Sequence, residues 1–109
     1  MNRTVNILGT NYYIIEEEFG TKDTDGYCDY TNKEIHIRSD NVNELGNFKS
    51  NMNKQLRHEI IHGFMAESGL QGNWQHTEQY GHDETTVDWF AIQFPKLLKA
   101  FKEVGCDAT

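Results

Sequence analysis

The residues best suited to chemistry lie at mid-chain, where Arg57-His58-Glu59-Ile60-Ile61-His62-Gly63-Phe64 contains the pattern His-Glu-x-x-His. On a helix, side chains four apart stand one above the other with Cβ atoms about 5–6 Å apart, so the imidazoles of His58 and His62 can converge on one tetrahedral metal ion. Glu59 falls beside that line, where its carboxylate can reach a water on the metal without joining the ligand set. A catalytic zinc needs a third protein ligand and an open position for water. Glu84 and Asp88 follow downstream, one helical turn apart. Glu84 is expected to complete the set, and Asp88 to accept the outward ring N–H of His58 or His62, which fixes the tautomer. The plainer reading of that pair is a solvated acidic first turn, favoured by the helix macrodipole. His76, Glu78, His82 and Asp83 are the other candidates for third ligand. The extended all-histidine motif His-Glu-x-x-His-x-x-Gly-x-x-His is not satisfied, because Met65 and Ser68 stand where it has its Gly and its third His.

These residues need two helices to hold them. From about Phe48, Met52, Leu56, Ile60 and Phe64 recur at every fourth position and form one apolar stripe, with Ser50 a plausible N-cap and the Gly69 region an end. The histidine pair points away from that stripe, so one face packs while the other presents the site. A second helix is expected from near Asp83, its apolar side formed by Val87, Phe90, Ala91, Phe94, Leu97, Leu98, Phe101 and Val104. Pro95 predicts a kink or break within it, Lys96, Lys99 and Lys102 face solvent, and Gly105 stops it.

Before the helices the pattern is that of strands. Val5–Leu8 and Tyr12–Ile15 flank a Gly9-Thr10 turn, a polar loop runs from about Gly20 to Gly26, and Tyr27–Tyr30 and Glu34–Arg38 flank Thr31-Asn32-Lys33. His36 sits on the polar side of its strand and reads as a solvent-facing histidine. The expected fold is α+β: one domain over residues 1–109, with a small N-terminal antiparallel sheet packed on the motif helix and a C-terminal helix.

Composition narrows the function. With 37% hydrophobic and 12% aromatic residues the chain is neither disordered nor membrane-embedded. Seventeen acidic against ten basic side chains give a net charge of −7, which argues against direct nucleic-acid binding. The first residues lack the apolar run of a secretory signal, so a cytoplasmic protein without membrane attachment is expected. Cys28 and Cys106 lie far apart with no Cys-x-x-Cys pattern and read as reduced packing residues.

His58-Glu59-x-x-His62 followed by Glu84-x-x-x-Asp88 resembles the zincin metallopeptidases that use a downstream glutamate as third ligand, the gluzincins. The segment Glu84-Thr85-Thr86-Val87-Asp88-Trp89-Phe90-Ala91-Ile92-Gln93-Phe94-Pro95 is similar to the small ImmA/IrrE-type metallopeptidases of phages and mobile elements. The likeness spans roughly Lys54 to Leu98. It implies a minimal zincin-like fold, Zn²⁺ on His58, His62 and Glu84, Glu59 as general base, and a specific protein or peptide substrate such as a repressor, in the host cytoplasm if the chain is phage-encoded. An oxyanion donor would come from Tyr80, His76 or His82, and Trp74 and Tyr80 either line a cleft or pack. Two other readings stand beside this one: an acidic binding or inhibitory module on the same scaffold, and a structural zinc site. Glu59 favours the enzyme, since a structural site requires no base.

Overall fold

The computed structural model describes residues 3–69 and 84–108, apart from the side chains of Glu84, Thr85, Val87, Asp88 and Ala91. Four strands, β1 (Arg3–Ile7), β2 (Thr10–Glu17), β3 (Gly26–Asp29) and β4 (Glu34–Arg38), precede two helices, α1 (Phe48–Glu67) and α2 (Glu84–Glu103). The architecture is α+β, a single four-stranded sheet with the helices packed on one face. No helix among the described residues is long and apolar enough to cross a membrane.

The sheet is mixed rather than wholly antiparallel. Its order is β1-β2-β4-β3, with β1/β2 and β3/β4 antiparallel and β2/β4 parallel, Ile14 lying opposite Ile35. Burial accounts for the order. β4 carries Ile35 and Ile37, essentially inaccessible to solvent, and takes a central place, whereas no residue of the short β3 is fully buried and it lies at the edge. Strict alternation puts Val5, Ile7, Tyr12, Ile14, Ile35 and Ile37 on one face, and these meet Leu56, Ile60 and Phe64 of α1 and Trp89, Leu97 and Ala100 of α2.

Local chemistry explains the boundaries, with some shifts from the sequence reading. The first hairpin turns on Leu8-Gly9, one residue earlier than expected. Both have positive φ (53° and 94°), as a tight two-residue hairpin turn requires, and the Asn6 side chain accepts from the Gly9 N–H. Asn47, not Ser50, caps α1, its side chain accepting from the Ser50 N–H. Gly69, at φ 82°, ends α1 within its predicted region. α2 runs unbroken through Pro95, whose side is exposed, while Leu97 and Ala100 stay anchored in the core. It closes at Gly105 as expected, with the Gly105 N–H on Lys102 O and the Cys106 N–H on Phe101 O, a Schellman pair. The apolar stripe of α2 is wider than the surface it covers, and Phe90 and Phe94 remain exposed.

α1 approaches the sheet closely at Gly63, where a Cβ would come within 2.7 Å of Ile7 Cδ1. At its C-terminal end Glu67 accepts from Thr10 Oγ1 (3.1 Å), Tyr12 OH (2.6 Å) and Lys33 Nζ (2.7 Å), tying the helix to the first hairpin and to the β3–β4 turn. On the opposite face of the sheet His36 is more covered than expected. It lies between Glu17 (2.7 Å) and Glu34 (2.9 Å), and its ring stacks on Tyr27 at 4.4 Å.

Candidate metal centre

Leu56, Ile60 and Phe64 commit one face of α1 to the core, and Met52 packs at its edge. Helical rotation then turns His58 and His62 outward, where both are exposed. Their Nε2 atoms stand 3.1 Å apart, with ring centroids at 4.8 Å and planes at 74°. Two ligands at about 2.0–2.1 Å from a tetrahedral ion would be separated by about 3.3–3.4 Å, so the imidazoles are arranged close to what one ion demands. A Glu59 carboxylate oxygen completes a group whose donor atoms all lie within 4.8 Å of one another. Among the described residues no other three His, Cys, Asp or Glu side chains come together in this way.

The three residues open onto a cleft of about 440 Å³ between α1 and the edge strand β3. The loop before β3 supplies one wall with Asp23, Thr24 and Asp25, β3 and the following turn supply Tyr27, Cys28 and Tyr30, and α1 supplies Gln55. Arg38 and Asp40, at and after the end of β4, hold that loop in place. Asp40 accepts from the Phe19 and Gly20 N–H groups, and Arg38 pairs with Asp25 and Asp40 while its guanidinium lies over Phe19.

Glu59 differs from the histidines in being 3% exposed. Burial pushes its carboxyl above the ordinary glutamate value, opposed by a hydrogen bond donated by Gln55 and by the two imidazoles. A carboxylate biased in this direction is a better proton acceptor than a solvated one. Cys28 shares the cleft as a free thiol, pushed up to about 12 by burial and by the negative charges of Glu59, Asp29 and Glu67. It is no thiolate at neutral pH, in keeping with a packing role; Cys106 is fully buried and also free.

Comparison of the chain with protein-family models, with curated proteins and with solved structures finds no match. The site therefore has to be judged from its own residues. Of the sequence candidates, the structure brings His58, Glu59 and His62 together. Glu84 and Asp88 lie in the first turns of α2, where the backbone is helical, but their side chains are outside the described residues, as are His76, Glu78, Tyr80, His82 and Asp83 altogether. Trp89, next to Asp88, donates from Nε1 to Ser68 Oγ at 3.1 Å, which ties the start of α2 to the end of the motif helix.

Gln55, Gly26, Tyr27 and Tyr30 belong to the cleft and were not singled out from sequence. Gln55 had a signal, since it lies four residues before Glu59 on the same helical line. The residues of β3 had none, because their place beside α1 follows from the strand order.

Proposed function

We propose that this chain is a zinc-dependent metallopeptidase in which His58 and His62, with Glu84 as third ligand, hold the metal and Glu59 is the general base. The reading is carried by one observation: two imidazole nitrogens converge on a cleft directly beside a buried carboxylate. A structural site would have no use for a base held there at an energetic cost of burial.

Bound Zn²⁺ would supply Lewis acidity, lowering the pKa of water and polarising a peptide carbonyl. The protein does the rest. Glu59 takes the proton of the attacking water and returns it to the departing amine, which requires a carboxylate fixed within hydrogen-bond reach of both. The cleft walls formed by the 23–25 loop and β3 hold the polypeptide in place, and Tyr30 offers aromatic surface to it. The net charge of −7 suits a protein substrate better than a nucleic acid. The likeness to phage and mobile-element peptidases rests on the sequence motif alone and suggests a cytoplasmic regulatory protein as target.

The test is metal analysis and proteolysis on wild-type, Glu59→Ala and Glu84→Ala proteins. Wild type should carry zinc and generate fragments in a proteome-wide screen. Glu59→Ala should keep the zinc and lose the fragments, and Glu84→Ala should bind zinc more weakly. Wild-type protein that takes up no zinc from excess metal would sink the proposal. Zinc without any Glu59-dependent fragment would shift the reading to a binding module or a structural site.

A further inference from the structure

Glu59 owes its orientation to another residue. Gln55 donates from Nε2 to Glu59 Oε2, the one hydrogen bond that the Glu59 carboxylate makes among the described residues. The other oxygen, Oε1, has no protein partner among them. The donor is itself confined. A Cβ on Gly26, the first residue of β3, would lie 3.1 Å from Gln55 Cγ, 3.3 Å from Gln55 Nε2 and 2.8 Å from His36 O. Gly26 does not have positive φ, so glycine is required here by space and not by backbone conformation. The bare Cα at the start of the edge strand leaves the slot in which the amide reaches the carboxylate.

We infer that Gln55 is a positioning residue for the general base: seated over Gly26, it holds Glu59 Oε2 and leaves Oε1 free to face the reacting water. The inference rests on the metallopeptidase reading for its consequence but not for its geometry. A carboxylate anchored at one oxygen is fixed in its plane, so the oxygen that Gln55 does not hold keeps its lone pairs turned to the cleft. Remove the anchor and Glu59 rotates among its χ rotamers, so the base is correctly placed for only part of the time. Misplacing a reacting group by a fraction of its reach lowers turnover without changing how the rest of the cleft binds. Gln55 touches neither metal nor peptide in this scheme and is not a catalytic residue.

Gln55→Met is the decisive variant, because it keeps the length and apolar stem of the side chain and removes the amide that donates to Glu59. In the full chain we expect unchanged zinc stoichiometry and a lowered unfolding temperature, since a buried carboxylate loses its donor. Side-chain methylene couplings of Glu59, measured by NMR, should show one rotamer in wild type and averaging in the variant. With dye-quenched casein, or with a substrate found by the fragment screen, kcat should fall about ten- to a hundredfold at constant KM, as loss of a hydrogen bond to a charged group predicts. Gly26→Ala should cause the same averaging by filling the slot, and Gln55→Met remains informative if His36 O makes that strand replacement unfoldable. A single Glu59 rotamer in Gln55→Met overturns the inference whatever the protein does. Rotamer averaging with full kcat also overturns it and leaves the metallopeptidase reading standing, whereas loss of zinc from wild type strikes that reading and leaves the Gln55 geometry to the NMR result.

Discussion

Two glutamates on α1, 67 − 59 = 8 residues apart, are held in opposite ways. Glu67 receives hydrogen bonds from a lysine, a tyrosine and a threonine, and the bonds from Lys33 and Tyr12 pull its carboxyl below the ordinary value. Glu59 receives one, from a neutral amide, and burial lifts its carboxyl above the ordinary value. The same side chain on the same helix is a clasp in one place and a proton acceptor in the other. The environment makes the difference: Glu67 meets cationic and hydroxyl donors of the hairpin, while Glu59 faces a cleft with its hydrogen-bonding capacity partly unused.

The contrast can be broken experimentally, and the largest effect should come from Glu59. Glu59→Ala should reduce proteolysis by about 10²–10⁴-fold with zinc content and unfolding temperature close to wild type. Glu67→Ala should do the reverse, leaving kcat intact while costing about 2–3 kcal/mol of stability, because the Tyr12 hydroxyl loses its acceptor. Denaturant unfolding of both variants beside the activity measurement checks the pair, and a Glu67→Ala protein of wild-type stability would remove the clasp from the account.

Metal removal comes next in size. Chelation should abolish activity and lower stability by an amount set by metal occupancy, about 2.7 kcal/mol where free zinc stands a hundredfold above its Kd. Thermal unfolding with and without chelator measures it, and His58→Ala should be insensitive to the chelator.

The pH dependence is smaller and has a definite sign at two sites. Glu67 has a depressed folded pKa, so its contribution is present above the ordinary carboxylate pKa and disappears as pH falls through the folded value. His36 is the opposite. Burial lowers its pKa, but Glu34 and Glu17 outweigh burial and leave it raised. Its contribution is therefore complete below the ordinary histidine value and is lost as pH rises through the folded one. Unfolding followed against pH should show a flattened acid limb in Glu67→Ala and a flattened alkaline loss in His36→Asn. An alkaline limb in His36→Asn equal to wild type would remove the Glu17–His36–Glu34 bridge as a source of stability.

Much of the fold could be read from short-range pattern. The stripe through Leu56, Ile60 and Phe64 and the alternation of Ile35 and Ile37 reflect periods of 3.6 and 2 that any chain with these buried faces must obey. The errors came where a longer-range term decided. The antiparallel expectation missed the β2/β4 pairing, which arises because the more apolar β4 moves inward past β3. Pro95 did not break α2, since burial of Leu97 and Ala100 outweighs one missing backbone bond. Asn47 displaced Ser50 as cap because the boundary of a helix is set by which side chain reaches an orphan N–H, and either residue type could do so.

The sequence alone determined that His58 and His62 share a helix face and that Glu59 adjoins them, because helical geometry turns spacing into position without help from the rest of the chain. Only the tertiary structure decided that Glu59 is buried while its neighbours are exposed. The same holds for the clasp on Glu67 and for the gap at Gly26 that lets Gln55 reach the base. Each of those depends on where the strands lie against α1, and strand order is a property of the whole packed sheet.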